Sequence, residues 1–226
     1  MLGAADKWRT ESLPHLLEEM RAVVDPRALP EPWSVPPRSS APSPSPTPAS
    51  EIVVLVGHRA AGKSRLLPLL SRWTGLPGFD LDELVAHRTG RSIAAWFGTS
   101  GDPPSHAGEG REGGSPAGFR TAEREGFLSI PGPAIVATGG GFLSLHSDLL
   151  REHAAVLIPI TFETYRARLL ADRTRPRLRP ELSLEEEIRQ VYDERELRHA
   201  SVPTIPLLEY LRRTAPYLAE PWPPRW

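Results

Sequence analysis

Apolar residues fall along this chain in two alternating patterns: short uniform runs, and longer stretches in which they recur every three or four positions. The runs Ile52–Val56, Gly78–Asp80, Ala134–Thr138, Val156–Ile160 and Val202–Leu207 read as strands. Helical recurrence covers residues 63–73, 82–88, 120–129, 146–153, 161–172 and 183–198. Strands separated by helices need crossover connections, so the pattern predicts an α/β fold with a parallel sheet and helices on both faces. Pro203 and Pro206 place the last strand at an edge, because proline supplies no ladder donor. Ser183 followed by Glu186 forms a capping box that opens the last long helix.

Three stretches stand outside this alternation. Residues 26–48 hold nine prolines and read as an extended linker that cannot pack a core. Ahead of it, Leu13, Leu16, Leu17, Met20, Val23 and Val24 recur at helical spacing, with Ser12 as a cap. That helix either docks on its own domain or serves a partner. Residues 98–118 contain seven glycines and three prolines, a composition for a mobile surface loop rather than an element. The expected layout is an N-terminal helical extension over 1–25, a Pro/Ser-rich linker over 26–50, a main domain over 51–213 and a tail over 214–226.

Composition narrows the chemistry. With 27 basic and 28 acidic residues the net charge is −1, giving no reason to expect nucleic acid or an anionic membrane surface. The absence of cysteine removes disulfides, thiolate zinc sites and cysteine nucleophiles together. Met1 to Lys7 lacks the apolar core of a signal peptide, and no segment reaches membrane-spanning length. The expectation is a cytoplasmic protein, monomeric, acting on a small molecule.

The most specific chemical signal is Gly57-His58-Arg59-Ala60-Ala61-Gly62-Lys63-Ser64, a full G-x-x-x-x-G-K-S phosphate-binding loop. It carries weight because a predicted strand delivers it and a predicted helix leaves it. Backbone N–H groups from Gly57, Ala60, Ala61 and Gly62 can turn inward around a phosphate, aided by the helix N-terminus. Lys63 can reach the β- and γ-phosphates, and the Ser64 hydroxyl can ligate Mg²⁺. The loop predicts binding of ATP or a similar nucleoside triphosphate with Mg²⁺.

Four further groups carry candidate chemistry, two of them where strands end. Asp80 and Asp82 point to one side of the second strand; one could hold metal-bound water while the other accepts a proton from an acceptor hydroxyl. Arg120 and Glu123 sit at i, i+3, either as a surface ion pair or as a guanidinium braced to grip a substrate carboxylate. Thr138-Gly139-Gly140-Gly141 removes every side chain from the end of the third strand and lets backbone approach a ligand closely. Six arginines crowd residues 166–179, where Arg175-Pro176 interrupts the helical pattern as a lid would, and Arg195 follows on the last long helix.

Taken in order over residues 51–210, these features resemble shikimate kinase: Gly57–Ser64, Asp80-x-Asp82 followed by Arg88-Thr89-Gly90, Phe119-Arg120-x-x-Glu123, Thr138–Gly141, Arg168 with Arg175-Pro176, and Glu194-Arg195. The resemblance implies a three-layer P-loop kinase fold with a five-stranded parallel sheet, a lid and a small acceptor-binding lobe. It also implies transfer of the ATP γ-phosphoryl to the 3-hydroxyl of shikimate, a step of chorismate and aromatic amino acid biosynthesis.

Carried over to this chain, Lys63 and Ser64 serve the phosphates and Mg²⁺, Asp80 holds the metal's waters, and Asp82 orients the shikimate hydroxyl as its base. Arg120 and Arg195 grip the shikimate carboxylate beside Gly140 and Gly141. Arg175 is the lid cation, and Arg168 lies against adenine. The chain departs from the family in its longer 98–118 loop, in Glu196-Leu197-Arg198-His199 after Arg195, and in Arg177 where the lid is commonly apolar. Shikimate-kinase-like ligand sensors and kinases for other acids such as gluconate are the alternatives. The joint presence of all the catalytic positions favours an enzyme, and the two arginines favour an acceptor that bears a carboxylate.

Overall fold

A computed structural model describes residues 13–29, 52–97, 115–172 and 177–214. Five strands, β1 (Ile52–Val56), β2 (Gly78–Asp80), β3 (Ala134–Ala137), β4 (Ala154–Leu157) and β5 (Ile205–Pro206), form one sheet in the order β2-β3-β1-β4-β5. Every neighbouring pair is parallel. All carboxyl ends therefore open on one rim, the place where such sheets bind ligands.

The central strands β1 and β3 are dry on both faces. Val53 and Leu55 of β1 join Leu66, Leu70 and Trp73 of α2 (Lys63–Thr74) in one core. Ile52, Val54 and Val56 enter a second core with Leu81 and Val85 of α3 (Leu81–Thr89) and with Phe119 and Phe127 of α5 (Pro116–Leu128). A strand packed on both sides has no solvent face, which is why β1 reads as an unbroken apolar run.

Helix α1 (Leu13–Val23) docks on its own domain, packing against α2. Leu16, Leu17, Met20, Val23 and Val24 are buried in the first core. A helix this short is marginal alone, so packing holds it, at about 1.5–3 kcal/mol for each large side chain removed from water. Its exit is pinned by Asp25, whose buried carboxylate accepts from the Thr161 N–H (2.8 Å) and hydroxyl (2.6 Å) and from the Arg27 N–H (3.0 Å). The first residues of the expected linker, Pro26–Ala28, form a 3₁₀ turn. Ser12, the remainder of that proline-rich stretch, and residues 98–114 lie outside the described residues. The last residues of the expected 98–118 loop instead open α5, with Ser115 as its cap and Pro116 at its first position.

Several boundaries differ from the sequence expectation. β4 starts at Ala154, because Val53 of β1 pairs with Ala154 and Val56 with Leu157. Pro159 then lies beyond the ladder. β5 shrinks to two residues because Leu207 opens α9 (Leu207–Thr214), whose Leu207, Tyr210 and Leu211 face the core. The expected helix over 146–153 is a 3₁₀ turn at Leu149–Glu152. Two short helices, α4 (Ile93–Trp96) and α6 (Phe142–Leu145), were not legible as periodic segments. The remaining helices are α7 (Phe162–Ala171) and α8 (Leu184–Ser201), the latter opened by the Ser183–Glu186 capping box.

Candidate active site

The loop between β1 and α2 owes its shape to its backbone. Gly57 has φ +130°, and a Cβ there would lie 2.6 Å from the Ile158 carbonyl oxygen, so no side chain fits. Gly62, in the left-handed region, precedes α2 without a side-chain cap, leaving the first N–H groups of that helix open to an anion. Lys63 is buried, and its Nζ donates to the carbonyls of Gly57 (2.8 Å) and His58 (2.6 Å). Ser64 is exposed in the first turn of α2 and lines the adjoining cleft.

That cleft, of about 390 Å³, is bordered by Lys63, Ser64, Asp82, Arg120, Gly139–Gly141, Arg168 and Arg195. It thus joins the phosphate loop to residues from five other elements. The glycine run after β3 is where they converge. A Cβ on Gly139 would lie 3.1 Å from both Asp82 Oδ1 and Glu123 Oε1. On Gly141 it would lie 3.2 Å from Arg120 Nη2. On Gly140 it would collide with the Arg59 backbone nitrogen at 2.4 Å and Arg195 Nη1 at 2.8 Å. Glycine at 140 is what allows the phosphate loop and the α8 arginine to meet across the end of β3.

Asp82 is the carboxylate that meets the glycine run at the cleft, while Asp172 lines it from the end of α7. Burial, reinforced by the negative charges of Asp80 and Glu123, raises its pKa to about 6, against the opposing pull of Lys63 and Arg120. Its Oδ1 is buried and has no hydrogen-bond partner among the described residues. A carboxylate poised near neutrality with a free oxygen suits a general base. Asp80 is used differently: its Oδ1 caps α3, accepting from the N–H groups of Asp82 (3.0 Å) and Glu83 (3.3 Å).

The arginines meet an anion-shaped demand. Arg120 Nη1 donates to the fully buried Glu123 (2.7 Å), and its guanidinium lies over the Phe119 ring at 4.9 Å. Arg195 Nη1 is shut off from solvent and has no partner among the described residues. Burial first, and then the charges of Arg59 and Arg120, lower the Arg195 pKa to about 10, so it stays charged at neutral pH. A buried cation with an unmet donor, facing a second guanidinium across a cleft, is a site for a carboxylate or a phosphate.

Some residues do more than their sequence motif announces. Arg168 Nη1 donates to the Ala60 carbonyl (2.7 Å) and Nη2 to the Val23 carbonyl (3.3 Å), so it braces the phosphate loop and ties it to α1. Arg177 is anchored to Glu187 of α8, which also accepts from Arg59 (2.9 Å) and from the Leu178 N–H (3.1 Å). His146 Nε2 lies 3.1 Å from Glu123 and supports the carboxylate that positions Arg120. None of these long-range partnerships has a local signal. Arg175, the expected lid cation, lies outside the described residues.

Comparison with known proteins agrees with this arrangement. A family model described as shikimate kinase matches residues 59–212. The shikimate kinase of Chlorobium luteolum is 29% identical over 160 residues, 66% of this chain and 72% of that protein. That of Streptococcus suis is 31% identical over 150 residues, covering 63% of this chain and 81% of its own length. Among solved structures, shikimate kinase from Aquifex aeolicus aligns with TM-score 0.53 and 26% identity, over 74% of this chain and 95% of its own. Shikimate kinase from Acinetobacter baumannii in complex with shikimate aligns with TM-score 0.55 and 22% identity, over 75% and 91% respectively, a likeness of fold. With the cleft residues gathered on the same sheet rim and the family match running from the phosphate loop to α9, the chain belongs to the shikimate kinase family.

Proposed function

We propose that this chain transfers the γ-phosphoryl group of ATP to the 3-hydroxyl of shikimate, giving shikimate 3-phosphate and ADP. The observation that carries the acceptor assignment is the Arg120–Arg195 pair, one arginine braced by Glu123 and the other with an unmet buried donor. Together they bind the shikimate carboxylate and leave its ring hydroxyls turned toward Asp82. Asp82 takes the proton from the 3-hydroxyl as the new O–P bond forms, while the bond from Pγ to the bridging oxygen breaks and ADP leaves. Lys63, released from the Gly57 and His58 carbonyls, neutralises charge on the phosphate oxygens. Arg175 is assigned to the same charge from its place in the Arg175-Pro176 motif.

A loose phosphoryl transition state needs alignment and charge neutralisation more than covalent help. The hard oxygen donors Ser64 and Asp80 suit Mg²⁺, with Ser64 at the cleft and Asp80 acting through the metal's waters. When bound, Mg²⁺ would withdraw charge from the β- and γ-phosphate oxygens. Phe97 and Phe119 line the acceptor side of the cleft and exclude water, the competing nucleophile.

The direct test is ADP release from Mg-ATP with and without shikimate, using Lys63→Ala as the blank. Shikimate-dependent ADP from the intact chain and none from the variant is expected. ATP binding without shikimate-dependent ADP would overturn the acceptor assignment.

A further inference from the structure

Beside the catalytic cleft lies a second cluster that phosphoryl transfer does not use. His58, in the phosphate loop, and His199, near the end of α8, are both at least nine-tenths buried, and their rings meet edge-on at 4.6 Å. Glu196, one turn before His199, places Oε1 at 2.7 Å from His58 Nε2 and 3.6 Å from His199 Nδ1. One ligand atom from each of the three lies within 4.8 Å of the others. Neither nitrogen of His199 has a hydrogen-bond partner among the described residues, and neither does His58 Nδ1. Buried imidazole nitrogens without partners are costly unless something else satisfies them.

We propose that His58, Glu196 and His199 form a binding site for a borderline divalent cation of the zinc type, joining the phosphate loop to α8. Two imidazoles and one carboxylate are a ligand set that zinc takes, with the fourth position left to water through the half-exposed Glu196. Mg²⁺ prefers all-oxygen ligands and is not the ion this cluster selects. Tetrahedral bonds of about 2.0–2.1 Å put ligand atoms roughly 3.4 Å apart, so the pocket needs only side-chain adjustments. Because neither His199 nitrogen is hydrogen-bonded among the described residues, an ion taking one of them displaces no protein partner. Tyr192 stacks on His58 at 4.4 Å and fixes the plane of that ring.

The site would cross-link two parts of the active centre. The His58 carbonyl accepts from Lys63, and Glu196 directly follows Arg195, so a bound ion would fix the spacing between the phosphate loop and the acceptor arginine. The role is positioning and stabilising, and it stands independently of which acceptor the cleft takes.

The test is titration of the full metal-free chain with Co²⁺ in excess Mg²⁺, read by visible ligand-field absorption, with thermal melting in Zn²⁺ as the second readout. Expected are saturation at one equivalent and a Zn²⁺-dependent rise in melting temperature. His199→Gln should lose both, and Glu196→Gln should weaken Co²⁺ binding by about tenfold or more. Circular dichroism and metal-free melting establish that each variant is folded. Should His199→Gln not fold, the half-exposed Glu196→Gln decides. Absence of a saturable band in the intact chain, or a band unchanged in the folded variants, would overturn the site.

Discussion

Asp82→Asn should make the protein more stable while it disables turnover. The Asp82 carboxyl has its pKa raised from 3.8 to about 6 by burial and by the neighbouring Asp80 and Glu123 charges. The folded state therefore holds that proton more tightly than the unfolded chain does. Below pH 3.8 both states are protonated and the site contributes nothing to the balance. As pH rises from about 4 to about 6 the unfolded chain ionises freely while the folded one resists, and stability falls. Above pH 6 the full penalty is in force. At about 1.4 kcal/mol per pKa unit this amounts to roughly 3 kcal/mol. The amide is close in shape, carries no charge, and replaces an Oδ1 that has no hydrogen bond to lose. For a chain of this size the gain corresponds to about 6–12 °C in melting temperature. The assay is urea or thermal unfolding of both proteins from pH 4 to 8, beside shikimate-dependent ADP release. The stability gap should be widest above pH 6 and close toward pH 4. A variant no more stable than the wild type at pH 7.5, or a gap that ignores pH, would refute the reasoning about this carboxylate.

Other perturbations test the remaining parts of the site. In the intact enzyme kcat/KM should fall about tenfold per pH unit below the Asp82 pKa of about 6, as the base becomes protonated; a profile flat to pH 5 would remove Asp82 from proton transfer. Arg120→Lys keeps the charge against Glu123 but loses the planar fork, so the shikimate KM should rise about tenfold or more with the ATP KM little changed; parallel changes in both constants would contradict a carboxylate grip. Gly140→Ala drives a methyl group into the Arg59 backbone at 2.4 Å, and should cost about 1–3 kcal/mol in urea unfolding and raise both KM values. Burial pushes the Asp25 carboxyl up, but the Thr161 hydroxyl and N–H together hold it below 3.8. Its stabilisation is therefore present above pH 3.8 and fades as pH falls through that lower value. Asp25→Ala should destabilise the protein by about 1–3 kcal/mol and expose α1 to limited proteolysis; an unchanged cleavage pattern would argue against the anchor.

Much of this architecture is carried by local sequence. β1 was legible because a strand buried on both faces must be apolar throughout, and β2 because Phe79-Asp80 falls between two helical patterns. The capping box at Ser183 and the edge position of β5 follow from hydrogen-bond capacities that belong to single residues. The phosphate loop is a local motif of backbone and one lysine, so eight consecutive residues announce it. Where elements were misjudged, local signals competed. The run Val202–Leu207 read as one strand, although Leu207, Tyr210 and Leu211 already carried the spacing of α9.

The cleft itself depends on distance in space. Each residue type in it could be named from the chain, but nothing local states that Asp82, Arg120 and Arg195 abut three successive glycines after β3. The same holds for Arg168 bridging Ala60 to Val23, for His146 supporting Glu123, and for His58 meeting Glu196 and His199 across the rim. Sequence determined which backbone segments could pack and which side chains could carry charge. Tertiary structure decided which charges became neighbours, and how far burial moved them from their behaviour in water. Electrostatic coupling depends on separation and dielectric, and both come into being only when the sheet brings its carboxyl ends to one rim.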